Sequence, residues 1–223
     1  MKRIFLLLAI AMLALLSVAC ANDTTSNTTK QAPQIAAKTT YTNSLAGKKI
    51  LVAYFSATNN TKRVAEEIAQ ATGADIYRIE AAQSYSANPY DDKDLIQKEA
   101  YENLRPEVKA PLPASEMAKY DVIFVGSPIW WHQPAMVVCT FLEGYDLSGK
   151  TIVPFFTYGA RSYLNESIQR IYKSTPNSVH VPASLPKDIE PDNIQQSQND
   201  DDGIIMPADV DNIDTWLKVL QLK

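Results

Sequence analysis

The chain is poor in the residues that metal, disulfide and nucleotide chemistry depend on. Two cysteines and two histidines serve 223 residues, and Cys20, Cys139, His132 and His180 are too scattered to make a metal site. Glycine is scarce as well, at seven residues. There is no Gly-x4-Gly-Lys-Ser/Thr stretch for a nucleoside triphosphate and no dinucleotide fingerprint. Positive charge is also short, with a formal net charge of −4. That argues against nucleic acid as a partner and against a polybasic hold on anionic lipid. No internal repeat is visible. The uncharged run from Ile4 to Leu16 is too short for a comfortable membrane span. The length allows one domain with a sizeable core plus a leader.

The leader comes first. Lys2 and Arg3 precede the apolar run, and Ser17-Val18-Ala19 stand directly before Cys20, the layout of a secretory signal. The placement of Cys20 after small residues resembles the relaxed lipobox of bacterial lipoproteins. It implies residues 1–19 as a signal peptide, lipidation at Cys20 and a home in the bacterial cell envelope, on the extracytoplasmic side of a membrane. An ordinary cleaved signal leaving a free Cys20 is the alternative. Residues 20–46, rich in Thr, Asn, Ala, Gln and Ser, cannot bury enough surface to offset chain entropy and read as a flexible tether. Residues 47–223 are then the folded domain. Cys139, among Val137, Val138, Phe141 and Leu142, reads as a buried thiol.

The folded part is organised around the turn Ser56-Ala57-Thr58-Asn59-Asn60-Thr61. Before it, Lys49 to Phe55 is nearly all apolar and suits a strand buried on both faces. After it, Val64, Ala65, Ile68 and Ala71 recur at helical spacing. The first N–H groups of a helix lack intrahelical partners, and the macrodipole adds positive potential there. A helix cap needs one hydroxyl or amide side chain. Here every position but Ala57 is polar and uncharged, which points to a bound anion, a phosphate monoester.

Further strands are expected over Asp75–Ile79, Asp121–Gly126, Thr151–Phe156 and Ser178–Val181. Helices are expected over Asp94–Asn103, Ala135–Leu142, Tyr163–Tyr172 and Val210–Leu222. Residues 127–134 and 157–161 read as loops, and Ala183–Met206, with Asp192 and Asp200–Asp202, as an acidic insertion loop. Alternating strands and helices mean an α/β protein, a parallel sheet with helices on both faces. Ligands of such sheets bind beyond the carboxyl ends of the strands. Three loops lie there: the Ser56 turn, the Trp130-Trp131 loop and the Tyr158-Gly159 loop.

Together these loops resemble the flavodoxin family. Tyr54-x-Ser56-x-Thr58-x-Asn60-Thr61-x3-Ala65-x2-Ile68 is similar to its flavin mononucleotide (FMN) phosphate loop. Gly126-Ser127-Pro128-Ile129-Trp130-Trp131 resembles its second loop, which contacts the isoalloxazine ring, and Phe155-Phe156-Thr157-Tyr158-Gly159 its third. The resemblance implies a flavodoxin-like three-layer sandwich, with a five-stranded parallel sheet of order 2-1-3-4-5. Its cofactor would be FMN, held by Ser56, Ala57, Thr58, Asn59, Asn60, Thr61, Pro128, Ile129, Trp130, Trp131, Thr157, Tyr158 and Gly159. Asn59 stands where the family commonly has Gly, and Asn tolerates a left-handed backbone. Ala57 lacks a hydroxyl often present there. The implied function is a membrane-tethered redox protein passing electrons between redox partner proteins or to small quinone-like acceptors. The alternatives are an FMN-dependent quinone or nitro reductase, and a binding lipoprotein that has lost its cofactor.

Overall fold

Alternate side chains of the buried strands feed two separate interiors, and that alternation fixes the layers. The computed structural model describes residues 45–86, 88–158, 163–181, 204–205 and 213–222. Cys20, Gly159, Asp192 and Asp200–Asp202 lie outside the described residues, as do the signal sequence and nearly all of the tether. Leu45 already belongs to the fold: it packs against the core and its N–H donates to the Leu222 carbonyl at 3.1 Å.

The strands are β1 (Ile50–Tyr54), β2 (Asp75–Arg78), β3 (Val122–Trp130), β4 (Gln133–Pro134), β5 (Thr151–Thr157), β6 (Val179–His180) and β7 (Ile204–Ile205). The helices are α1 (Asn60–Thr72), α2 (Lys93–Tyr101), α3 (Ala114–Met117), α4 (Met136–Glu143), α5 (Leu164–Ser174) and α6 (Ile213–Val219). Five parallel strands lie in the order β2-β1-β3-β5-β6, the expected 2-1-3-4-5 when counted among themselves. Leu51, Ala53, Phe55, Ile123, Val125 and Ile152 face one core, closed by Val137, Val138, Phe141 and Leu142 of α4 and Leu164, Ile168 and Ile171 of α5. Ile50, Val52, Tyr54, Val122, Phe124 and Val153 face the other, closed by Val64, Ala65 and Ile68 of α1 and by Ile213, Trp216 and Leu217 of α6. A fully buried side chain of this kind stabilises the fold by about 1.5–3 kcal/mol. Cys139 is buried in α4, and burial raises its thiol pKa.

The five expected parallel strands stand, and among the described residues two short antiparallel strands join them. Two expectations of loop need correction. Residues 127–130 are not loop: β3 runs on through Trp130 and folds back on β4, with Ile129 opposite Pro134 and Trp130 opposite Gln133. Part of the presumed acidic loop is β7, which pairs with Phe156 and Thr157 of β5. The physical reason is the edge of β5. β6 covers only Thr151 and Ile152, and the exposed N–H and C=O groups further along need a second partner.

Candidate functional site

The Ser56 turn begins where β1 stops pairing. The Phe55 N–H still reaches the Gly126 carbonyl at 3.0 Å. Ser56 is 2% exposed, and its buried Oγ has no hydrogen-bond partner. Its carbonyl accepts from Arg78 Nη2 at 3.1 Å, which brings a guanidinium from the end of β2 beside the turn. Asn59 is the N-cap of α1, left-handed at φ 69°, and makes no side-chain capping bond. The first turn of α1 carries no acid. The helix therefore presents its positive end without a side-chain carboxylate to offset it. An unpaired buried hydroxyl costs about 1–3 kcal/mol, and an anionic acceptor at this turn would remove that cost.

Thr58 is exposed, Ala57 and Asn60 are half-buried, and Thr61 is buried. Thr61 Oγ1 lies 2.8 Å from Thr157 Oγ1, with either one the donor. One hydroxyl of the pair spends its proton on the other; the second keeps a proton to offer. This bond joins the start of α1 to the end of β5, so the first and third loops meet. Tyr158 follows, half-buried and packed against the core.

The second loop is a two-residue hairpin turn between β3 and β4. Its central residues, Trp131 at φ 47° and His132 at φ 68°, both have positive φ. Tight hairpins require that geometry, and glycine or asparagine adopts it far more easily than a bulky ring. Contacts hold the strained turn. The His132 ring stacks on Tyr163 at 3.6 Å. Gln133 Oε1 accepts from Arg170 Nε at 2.8 Å, and Arg170 Nη1 donates to Asn103 Oδ1 at 2.7 Å. Ser127 Oγ accepts from the Ala135 N–H at 2.9 Å, fixing the way into α4. Gly126 is dictated by packing: a Cβ there would fall 2.3 Å from the Phe155 ring and 2.9 Å from Tyr54 Cβ.

The paired tryptophans part company. Trp130 packs edge to face with Phe55 and Tyr85, at 5.3 and 5.2 Å between centroids. Trp131 is 39% exposed and meets the Tyr101 ring edge to face at 6.2 Å between centroids. Pro128 sits opposite Thr157 in the sheet, and Ile129 packs against the core. The structure thus brings Ser56, Thr61, Thr157, Pro128 and Trp130 to one end of the sheet, and sets Trp131 at a hairpin tip.

Three residues of this end escaped sequence reasoning. Arg78 ends β2, so its position at a strand's carboxyl end was a usable signal. Tyr85 and Glu99 had none: Tyr85 lies in an irregular stretch and Glu99 on α2, and only folding pairs them. Tyr85 Oη donates to Glu99 Oε2 at 2.8 Å. Burial raises the Tyr85 pKa above the usual phenol range, and the Glu99 carboxylate raises it further. Burial likewise raises Glu99; the Tyr85 bond works against this and the Asp92 charge adds to it.

Comparison with known proteins places this geometry. The flavodoxin family model matches residues 49–197. A provisionally assigned flavoprotein of Bacteroides eggerthii is 31% identical, with a TM-score of 0.55 over 79% of this chain and 99% of that one. Another from Bacteroides uniformis is 32% identical, with a TM-score of 0.51 over 60% of this chain and 89% of that one. A flavoprotein from Lactobacillus acidophilus NCFM, solved in complex with FMN, is 23% identical, with a TM-score of 0.50 over 60% and 89% of the two chains, and shares the fold. Among curated proteins nothing matches.

Proposed function

The chain belongs to the flavodoxin family, and from that premise we propose that it is an FMN-binding redox protein, tethered outside the cytoplasmic membrane by lipid on Cys20, that carries electrons between partners. The cofactor is FMN, which supplies one- and two-electron chemistry when bound. The observation that carries the reading is the Ser56 hydroxyl, buried and unpartnered beside a helix N-terminus with no side-chain cap. That donor set suits a phosphate dianion: neutral O–H and N–H groups, helix potential and no competing carboxylate. Ser56 and whichever of Thr61 and Thr157 keeps its proton would hold the ester. Thr58, at the exposed lip of the turn, adds a further hydroxyl. Trp130, fixed by Phe55 and Tyr85, supplies a preset aromatic wall, and Tyr158 stands at the end of β5 as the candidate for a second.

Flavin uptake tests this directly. The purified chain, incubated with FMN and desalted, is expected to keep a yellow spectrum with maxima shifted from those of free flavin. Ser56→Ala and Thr61→Val are each expected to weaken FMN binding about tenfold, the value of a hydrogen bond to a charged acceptor. A colourless protein that takes up no flavin would end the assignment. Steady NAD(P)H consumption with a quinone acceptor would move it from carrier to reductase.

A further inference from the structure

Glu99, on α2, is only 6% exposed, and a carboxylate is seldom buried so deeply unless it is paired. Neither the phosphate turn nor the aromatic wall uses it directly. We infer that Glu99 and Asn103 are positioning residues, which from α2 and its C-terminal stop fix the Trp130 ring and the strand that carries it. The inference rests on the FMN reading for what that half-buried ring packs against; the brace itself belongs to the chain without flavin.

The first path to Trp130 runs through side chains. Glu99 Oε2 accepts from Tyr85 Oη at 2.8 Å. The Tyr85 ring stands edge to face with Trp130 at 5.2 Å and with Phe55 at 5.5 Å. Apolar packing is non-directional, so rings in mutual contact can still shift against one another. A hydrogen bond has a preferred length and angle. The Glu99 bond therefore fixes where the tip of the phenol lies, and the phenol fixes the indole.

The second path runs through the backbone. Trp130 lies opposite Gln133 in the pairing of β3 with β4. Gln133 Oε1 accepts from Arg170 Nε, and Arg170 Nη1 donates to Asn103 Oδ1. Asn103, at φ 53°, is the left-handed stop of α2, where the Leu104 N–H closes on the Glu99 carbonyl at 2.9 Å. Arg105 Nη1 donates to the same Oδ1 at 2.9 Å. Its Nε and Nη2 grip the Glu143 carboxylate at 2.6 and 2.9 Å, which ties the stop to the end of α4. The two paths start about one helical turn apart and meet at Trp130, one at its ring and one at its strand. Together they remove the pivot that either alone would leave.

The test follows the indole N–H resonances of the full chain, isotope-labelled at tryptophan and assigned by Trp→Phe substitution, flavin-free and FMN-loaded. Trp216 is the internal control: fully buried in the other core, it reports the fold and not the brace. Glu99→Leu is expected to split or broaden the Trp130 signal and leave that of Trp216 in place. It should also weaken FMN binding about tenfold, the fold-change for loss of one hydrogen bond to a charged group. Glu99→Gln, which keeps an acceptor for Tyr85, should restore both the single signal and the affinity. Asn103→Gly keeps the left-handed stop, loses the amide oxygen and is expected to act as Glu99→Leu does. A Trp130 signal that Glu99→Leu leaves single and unshifted would overturn the proposal. If Trp216 moves as well, the double variant Tyr85→Phe/Glu99→Leu decides, because it removes both partners and orphans neither. A restored Trp216 beside an unsettled Trp130 supports positioning; restoration of both signals overturns it. Absence of flavin uptake by the parent would end the FMN reading while the resonances still report on the brace, so the two fail separately.

Discussion

At the scale of single residues, several side chains are held in states that cost stability. Ser56 keeps a buried hydroxyl unpaired. Asn59 takes a left-handed backbone where glycine would be easier, and its modest penalty in that region lets the turn keep its form. The left-handed conformation was legible from the residue type; the missing cap was not, since Asn ordinarily caps. Glu99 is a clearer case. Its carboxyl is raised above the ordinary 4.5, first by burial. A raised folded-state value means the protonated form is favoured in the fold. The associated stability is fully present below about pH 4.5 and is lost as pH rises through the elevated value. Glu99→Gln keeps an acceptor for Tyr85 and removes the charge. It is expected to flatten this slope, leaving the variant at least as stable as the parent at pH 7 in urea melts run across pH. A steeper slope would refute the assignment. Glu143 runs the other way: hydrogen bonds from Arg105 hold its carboxyl low, so its contribution is lost as pH falls.

At the scale of elements, the hairpin between β3 and β4 departs most from what the sequence suggests. Pro128, the paired tryptophans, His132 and Pro134 read as loop composition, and the neighbouring prolines hide a strand. What extends β3 is tertiary: β5 offers partners as far as Pro128–Thr157, and Gln133, anchored through Arg170 to Asn103, brings β4 back. No local pattern carries bonds between residues so far apart. The helices were legible because their apolar stripes are periodic; α5, with Leu164, Ile168 and Ile171 buried, needs no distant information. Trp131→Asn is expected to raise stability by about 1 kcal/mol, by relieving an unfavourable left-handed backbone at an exposed position. It should leave FMN affinity nearly unchanged, because Trp130 is the braced ring. A large loss of affinity would transfer the ring contact to Trp131. Gly126→Ala should lower stability by about 1–3 kcal/mol through overpacking against Phe155, seen as an earlier thermal midpoint.

At the scale of the whole molecule, the alternation of strands and helices made a parallel α/β sheet legible and the hydroxyl-rich turn pointed to a phosphate, whereas the strand order and the cofactor were what the resemblance to flavodoxins implied. The sheet's extra strand β7 was not legible: it arises from the unfilled edge of β5, a property of the assembled sheet. The site's β2 side was hidden for the same reason, since Arg78 and Tyr85 converge only after folding. Among the described residues no helix is long and apolar enough to cross a membrane, so the proposed attachment rests on the first twenty residues. Cys20→Ser is expected to move the protein from the detergent-rich to the aqueous phase on phase partitioning. An unchanged distribution would remove the lipid anchor from the proposal.

Ser56 faces two ways: its hydroxyl stands unpaired in the turn, while its carbonyl takes an N–H from Arg78 at the end of β2. The edge strand thus steadies the very residue on which the ester would rest, and the stiffness of that place is shared between two neighbouring strands.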